Sequence, residues 1–348
     1  MRRARQVLSA GRATVGNMAA RSETFRADTI DRGDALAEDL EQYRRELVGY
    51  CYRMLGSVFD ADDAVQETMV RAWRGIEGFE GRSSMRSWLY RIATNVSLDM
   101  LRGSQRRASP IDMGPSGTND SFTGATLPEH TWVQPVPDAA ILPAGADPAE
   151  VAAARETIRL AFITALQCLP PRQRAVLILR EVLRWQAAEV AELLGTSVAS
   201  VNSALQRARA TMAARETEAP VADVVTQDQR DLLARYVDAF ERYDIASLVG
   251  LLRDDAVMSM PPFDFWLRGP AEMGRFFLGA GGACRGSRLV ATEANGCAAF
   301  GCYNQAPDGG YVPWCIQVIE VSGDRIVGHH NFVDTSLFAA FGLPARLP

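Results

Sequence analysis

The chain has 348 residues, 47% hydrophobic and 23% charged, enough for two or three domains with apolar cores. Its net charge of −5 at pH 7 excludes a globally basic nucleic-acid-binding protein, so any basic surface must be local; all 37 basic residues are arginine. No apolar run approaches the ~18 residues of a membrane span, and six scattered cysteines and three histidines offer no zinc-ligand spacing, so a cytoplasmic protein with reduced thiols, no membrane, no metal and no cofactor is expected.

Residues 1–35 are Arg-rich without a hydrophobic stretch and read as a disordered tail, with either Met1 or Met18 as the start. Residues 36–107 are dense in helix formers. Within them, DADDAVQETMVRAWRG (60–75) places Asp62, Asp63, Gln66, Glu67 and Arg71 on a charged helix face beside apolar Ala64, Val65, Met69 and Trp73. A polar loop, GRSS (81–84), then precedes a helix bearing Arg86, Trp88, Arg91, Asn95, Asp99 and Arg102. Trp88 shares a stripe with Ile92 and Val96 and reads as core. Residues 82–107 carry six arginines against one acid, Asp99.

Residues 108–150 hold seven prolines, six acids and no arginine, a composition expected to give an extended acidic linker that packs no core. WVQPVPD (132–138) is an aromatic and proline island inside it, readable as a docking point for the following domain or as a PPII spacer. Residues 151–216 are helical and again basic, so two basic helical zones flank an acidic linker, as in a protein gripping DNA at two points.

The second zone holds a helix-turn-helix over 185–212. Apolar residues 187, 190, 191 and 194 mark one short helix, Gly195 suits its left-handed end, and Thr196 or Ser197 can cap the next. Val198, Val201, Leu205, Ala208 and Met212 form the buried stripe of the second helix. Its other side presents Asn202, Ser203, Gln206, Arg207 and Arg209; Asn and Gln can bond adenine bidentately, and Arg can take guanine or phosphate. Pro170 and Pro171 suit the start of a preceding helix, and Trp185 reads as core.

Taken in order, 60–75 with 79–102 resembles region 2 of the extracytoplasmic-function (ECF) sigma factors of bacterial RNA polymerase, and LPPRQRAVLILRE…VAELLGTSVASVNSALQRARA (169–210) resembles their region 4. The resemblance implies polymerase core binding, on the clamp helices of the largest subunit, for Asp62, Asp63, Gln66, Glu67 and Arg71. It implies −10 recognition and melting for Ser83, Ser84, Arg86, Arg91 and Asn95. It implies −35 reading of promoter DNA by Ser197, Asn202, Ser203, Gln206, Arg207 and Arg209. Asn202 and Ala204 stand where many relatives carry basic residues, which should lower phosphate affinity and shift base preference toward A·T pairs.

The family usually ends soon after region 4, whereas this chain continues. Residues 224–348 show amphipathic helix over 228–252, then strand runs 286–304, 311–321 and 325–334 separated by the turn signals APDGG and SGD. Helices on a curved antiparallel sheet are expected, similar to the SnoaL-like cone fold. Such a domain could sense a small ligand in a pocket lined by Asp238, Tyr303, Trp314, His329 and Asp334, or clamp regions 2 and 4 through the linker; His329 and His330, adjacent on a strand, must face opposite ways. The whole chain therefore reads as multidomain: two all-α sigma domains (36–107 and 151–216), the linker 108–150 and an α+β regulatory domain (224–348). The leading function is a non-enzymatic sigma factor regulated by its own C-terminal domain. The alternatives are a stand-alone DNA-binding regulator, or a SnoaL-like isomerase or cyclase with a DNA-binding appendage.

Overall fold

The computed structural model describes residues 40–81, 83–103, 105–143, 145, 147–214 and 226–348. The expected tail 1–35 lies outside the described residues.

The first unit is a bundle of α1 (Arg44–Leu55), α2 (Val58–Gly75) and α3 (Met85–Met100). Gly56 ends α1 at φ 72°, a left-handed position that glycine adopts freely, and Ser57 caps α2 by accepting from the Asp60 amide. Small residues Ala61, Ala64, Thr68 and Ala72 line the buried face of α2 and admit the large Tyr50, Met54, Leu89 and Tyr90. Tyr50 and Thr94 share a buried hydroxyl hydrogen bond of 2.7 Å between α1 and α3.

Residues 108–150 correct the expectation of an unpacked linker. They form a strap whose Trp132, Val133, Val136, Ile141 and Leu142 are buried, because its few apolar residues cluster into two docking sites rather than spreading along it. Arg107 anchors one end on Asp60 (2.6 Å), and Phe122 lies with its ring centroid 4.9 Å from Phe265 and 5.3 Å from Phe263 of the C-terminal domain. The strap then returns to the first bundle, where the Tyr52 hydroxyl donates to the Gln134 carbonyl (2.8 Å).

Helices α4 (Pro148–Glu156), α5 (Leu160–Gln167) and α6 (Pro171–Leu177, continued as a π-helical turn over Ile178–Val182) lead to α7 (Ala187–Leu193) and α8 (Val198–Ala213). Gly195 turns the chain at φ 60°, and Ser197 caps α8 by accepting from the Ser200 amide. The buried stripe of α8 is Val201, Leu205 and Ala208; Val198, expected within it, is 43% exposed at the first position of the helix.

The C-terminal unit packs α9 (Gln227–Glu241), α10 (Ile245–Gly250) and α11 (Pro270–Leu278) with a six-stranded sheet. Its strands are β1 (Leu252–Ser259), β2 (Trp266–Arg268), β3 (Arg288–Ala294), β4 (Cys297–Gln305), β5 (Tyr311–Ser322) and β6 (Arg325–Phe332), in the order β2-β1-β6-β5-β4-β3. The sheet is mixed rather than antiparallel, since β1 pairs with β6 in parallel. The strand expected over 286–304 is two strands. Asn295 (φ 54°) and Gly296 (φ 72°) make the tight turn that Asn-Gly favours between hairpin strands.

One sheet face closes over α9 and α11 with Tyr236, Phe240, Phe276, Phe277, Phe300 and Ile319. The other face, through Ala299, Tyr303, Ile316 and Val318, joins a continuous apolar core with the helical units. The C-terminal domain is therefore fused to the rest of the chain by packing.

Candidate nucleic-acid interface

Ser197, Asn202, Ser203, Gln206, Arg207 and Arg209 all project to solvent from α8, opposite the Val201–Leu205–Ala208 stripe. Two of them are tethered: the Arg207 guanidinium donates to Ser203 (2.6 Å), and Arg209 pairs with Glu181 (2.5 Å). The Asn202 and Gln206 side chains take no hydrogen bond among the described residues and lie exposed one helical turn apart.

The second candidate set lies on the loop before α3 and on α3 itself. Ser84 caps the helix by accepting from the Ser87 amide, and Asn95 is exposed further along. Arg86 and Arg91 are not free. Arg86 donates to Glu46 (2.8 Å) and lies 5.6 Å from the Trp185 ring, while Arg91 pairs with Glu192 of α7 at 3.3 Å. The Tyr90 and Trp185 rings meet at 5.1 Å. Trp185, expected as core, is buried at the contact between the two helical units. Trp88 is half-buried against Phe79, 5.0 Å away.

On α2, Asp62, Asp63, Gln66, Glu67 and Arg71 share an exposed surface, with Arg71 bridged to Glu67 at 2.7 Å. The same surface carries Val70 (41% exposed) and Trp73 (48% exposed). Trp73, grouped above with the apolar residues of this helix, is thus exposed rather than packed. Its spacing from Asp62, Gln66 and Val70 was the available signal, since i, i+4 neighbours share one face. Val70 and Trp73 leave a small apolar patch exposed beside these acids.

The candidate ligand pocket of the C-terminal domain is not assembled. Asp238 is exposed and pairs with Arg242 on the α9 surface. Tyr303 faces the other side of the sheet, donating to the Pro344 carbonyl (2.8 Å). Trp314 and Asp334 are half-buried, and His329 is sealed inside the cone. Alternation along β4 explains the split, since Cys302 points into the cone and Tyr303 must point out. The His329 ring lies in a directed chain: Asn331 Nδ2 donates to Nδ1 (2.9 Å), Nε2–H donates to the Tyr236 hydroxyl (2.8 Å), and that hydroxyl donates to Gln317 Oε1 (2.7 Å). Burial first, then the neighbouring His330, depresses the His329 pKa to about 3. His330 faces the opposite way, with Nδ1 2.8 Å from the Ser259 hydroxyl. Among the described residues, no group of histidine, cysteine and acid side chains could hold a metal ion, and no helix is long and apolar enough to cross a membrane.

A helical bundle with a polar loop before its third helix, followed by a capped helix-turn-helix, defines a promoter-reading factor of the sigma type. Comparison with known proteins agrees. Residues 40–107 match the family "Sigma-70 region 2", and residues 159–212 match "Sigma-70, region 4". The chain is 44% identical over 324 residues to the ECF RNA polymerase sigma factor SigG of Mycobacterium tuberculosis, covering 91% of this chain and 85% of that protein. It is 30% identical over 176 residues to the ECF RNA polymerase sigma factor SigW of Bacillus subtilis, covering 51% of this chain and 86% of that one. The crystal structure of Mycobacterium tuberculosis SigJ superposes with a TM-score of 0.55 at 24% identity, covering 88% of this chain and all of that one, and so shares the three-part fold. This chain belongs to the ECF sigma factors of RNA polymerase.

Proposed function

We propose that the α2 surface docks on polymerase core, that α3 and its preceding loop hold the −10 element, that α8 reads the −35 element, and that the C-terminal domain restrains this activity in cis. The observation that carries the reading is the contact between the two DNA-directed units. Arg91 is paired with Glu192, and Arg86 lies against Trp185, so two cations assigned to −10 DNA are each contacted by the unit assigned to −35 DNA. Elements centred near −10 and −35 lie roughly 85 Å apart on duplex DNA, at ~3.4 Å per base pair. A contact of 3.3 Å between the units is incompatible with simultaneous engagement, and this arrangement is a closed state that must open on polymerase.

The C-terminal domain favours the closed state because it packs on both units and on the strap between them. It is assigned no reaction. The His329 imidazole is buried, has both nitrogens bonded and packs against Tyr236 and Phe277.

The test is co-purification with polymerase core followed by run-off transcription. The full chain is expected to bind core, and Asp63→Arg combined with Glu67→Arg to reduce binding at least 10-fold by inverting the charge that steers docking. A chain that shifts promoter DNA alone and ignores core would instead be a stand-alone regulator.

A further inference from the structure

A groove of about 570 Å³ lies where the C-terminal domain meets the strap and α4. Its walls are apolar, with Leu233, Ala234 and Val237 of α9 facing Ala291, Ala298 and Phe300 of the β3–β4 hairpin. Its inner end is polar. Asp138 of the strap, 4% exposed at its side chain, accepts from the Gly296 amide through Oδ1 (2.8 Å), while its Oδ2 has no hydrogen-bond partner. Arg155 of α4 approaches that oxygen through Nε at 3.9 Å, too far to bond it, and this Nε also lacks a partner. Glu293 and Arg230 complete the polar lining, with Glu293 3.8 Å from Arg155.

A buried carboxylate oxygen and a buried guanidinium N–H left side by side each carry a desolvation penalty that a partner would relieve. The oxygen requires a donor, and the N–H requires an acceptor, within one short head group. Two acids and two arginines leave the lining formally neutral, so it offers no net attraction to a charged head. The remaining walls favour a hydrocarbon body.

We propose that this groove is a binding site for a small apolar molecule ending in a neutral amide, its NH donating to Asp138 and its carbonyl accepting from Arg155. The site differs from the expected pocket inside the cone, which aromatic side chains fill. The occupant would touch the strap, α4 and the C-terminal domain together, and so would favour the closed state; this consequence rests on the function proposed above.

The probes are 4-phenylbutyramide, 4-phenylbutyrate and 4-phenylbutylamine, titrated into the full chain by calorimetry, with run-off transcription measured in parallel. The amide is expected to bind saturably, and the carboxylate and amine at least 10-fold more weakly. Ala234→Leu fills the groove from the exposed surface of α9 and should abolish amide binding at unchanged melting temperature. Asp138→Asn turns an acceptor into a donor against Arg155 and should weaken binding at least 10-fold. No saturable binding, equal binding of all three probes, or full binding by the Ala234→Leu variant would overturn the site. Saturable amide binding that leaves transcription unchanged would support the site and contradict only its link to the closed state.

Discussion

The Asn295 side chain donates to the Tyr52 hydroxyl at 2.7 Å, across 243 residues of chain. The same Nδ2 donates to the Ile158 carbonyl (2.6 Å), and Oδ1 accepts from the Val136 amide (2.9 Å). One carboxamide at a hairpin tip thus ties the C-terminal domain to region 2, to the strap and to the approach to region 4. Every one of these groups is buried, so each bond lost leaves an unsatisfied partner.

Asn295→Ala should therefore open this joint. Three bonds are removed, and alanine tolerates φ 54° less well than asparagine, for a combined cost of about 2–4 kcal/mol. Hydrogen exchange at the Val136 amide should accelerate, and run-off transcription by the full chain should rise. Unchanged exchange would show that the joint is held by apolar packing alone.

The Arg91–Glu192 pair distinguishes a structural contact from a functional one. Both side chains are well exposed, so the bridge contributes ~0–1 kcal/mol, and Glu192→Ala should barely move the melting temperature. Arg91→Ala should be equally mild for stability yet reduce promoter opening several-fold, as read by permanganate reactivity of unpaired thymines. Equal promoter opening by the wild type and Arg91→Ala would remove Arg91 from the −10 interface.

The exposed amides of α8 set the −35 preference in this account. Asn202→Ala and Gln206→Ala should each relax discrimination by about 1–3 kcal/mol at the contacted base pair. A promoter library in which both variants select the wild-type motif would contradict the assignment.

His329 makes the C-terminal domain sensitive to acid. Its folded pKa lies near 3, below the ordinary 6.5, so the unfolded chain takes up a proton that the folded chain refuses. The stabilisation is complete above pH 6.5 and is lost as pH falls from 6.5 toward 3, by about 2 kcal/mol at pH 5. Its imidazole carbon-bound proton should not titrate between pH 8 and 5 by NMR. Tyr236→Phe, which strands both His329 and Gln317, should cost about 1–3 kcal/mol.

Local signals made the helical units legible. Gly195, Ser197 and the Val201–Leu205–Ala208 spacing located the helix-turn-helix, because capping and amphipathic periodicity act within a few residues. The Asn295–Gly296 hairpin is equally written in the chain, but a break of only two residues is easily read through as one long strand run over 286–304. The strap departs from its composition for a different reason. Average composition describes residues 108–150 poorly when Phe122 and the 132–138 segment each dock on surfaces supplied by distant sequence. The cone pocket failed through strand parity, since candidate residues on opposite faces of β4 and β6 cannot converge. The contacts of Arg86 and Arg91 with region 4 are invisible in the sequence, which shows the cations of an interface without showing what pairs with them.

The closed state is tested most directly by the distance between spin labels at Arg102 on region 2 and Ala199 on region 4, measured by double electron–electron resonance. The free full chain should give one short distance. Addition of polymerase core and promoter DNA should replace it with a population longer by several tens of ångströms. A distance that stays short in a complex competent for transcription would contradict the account.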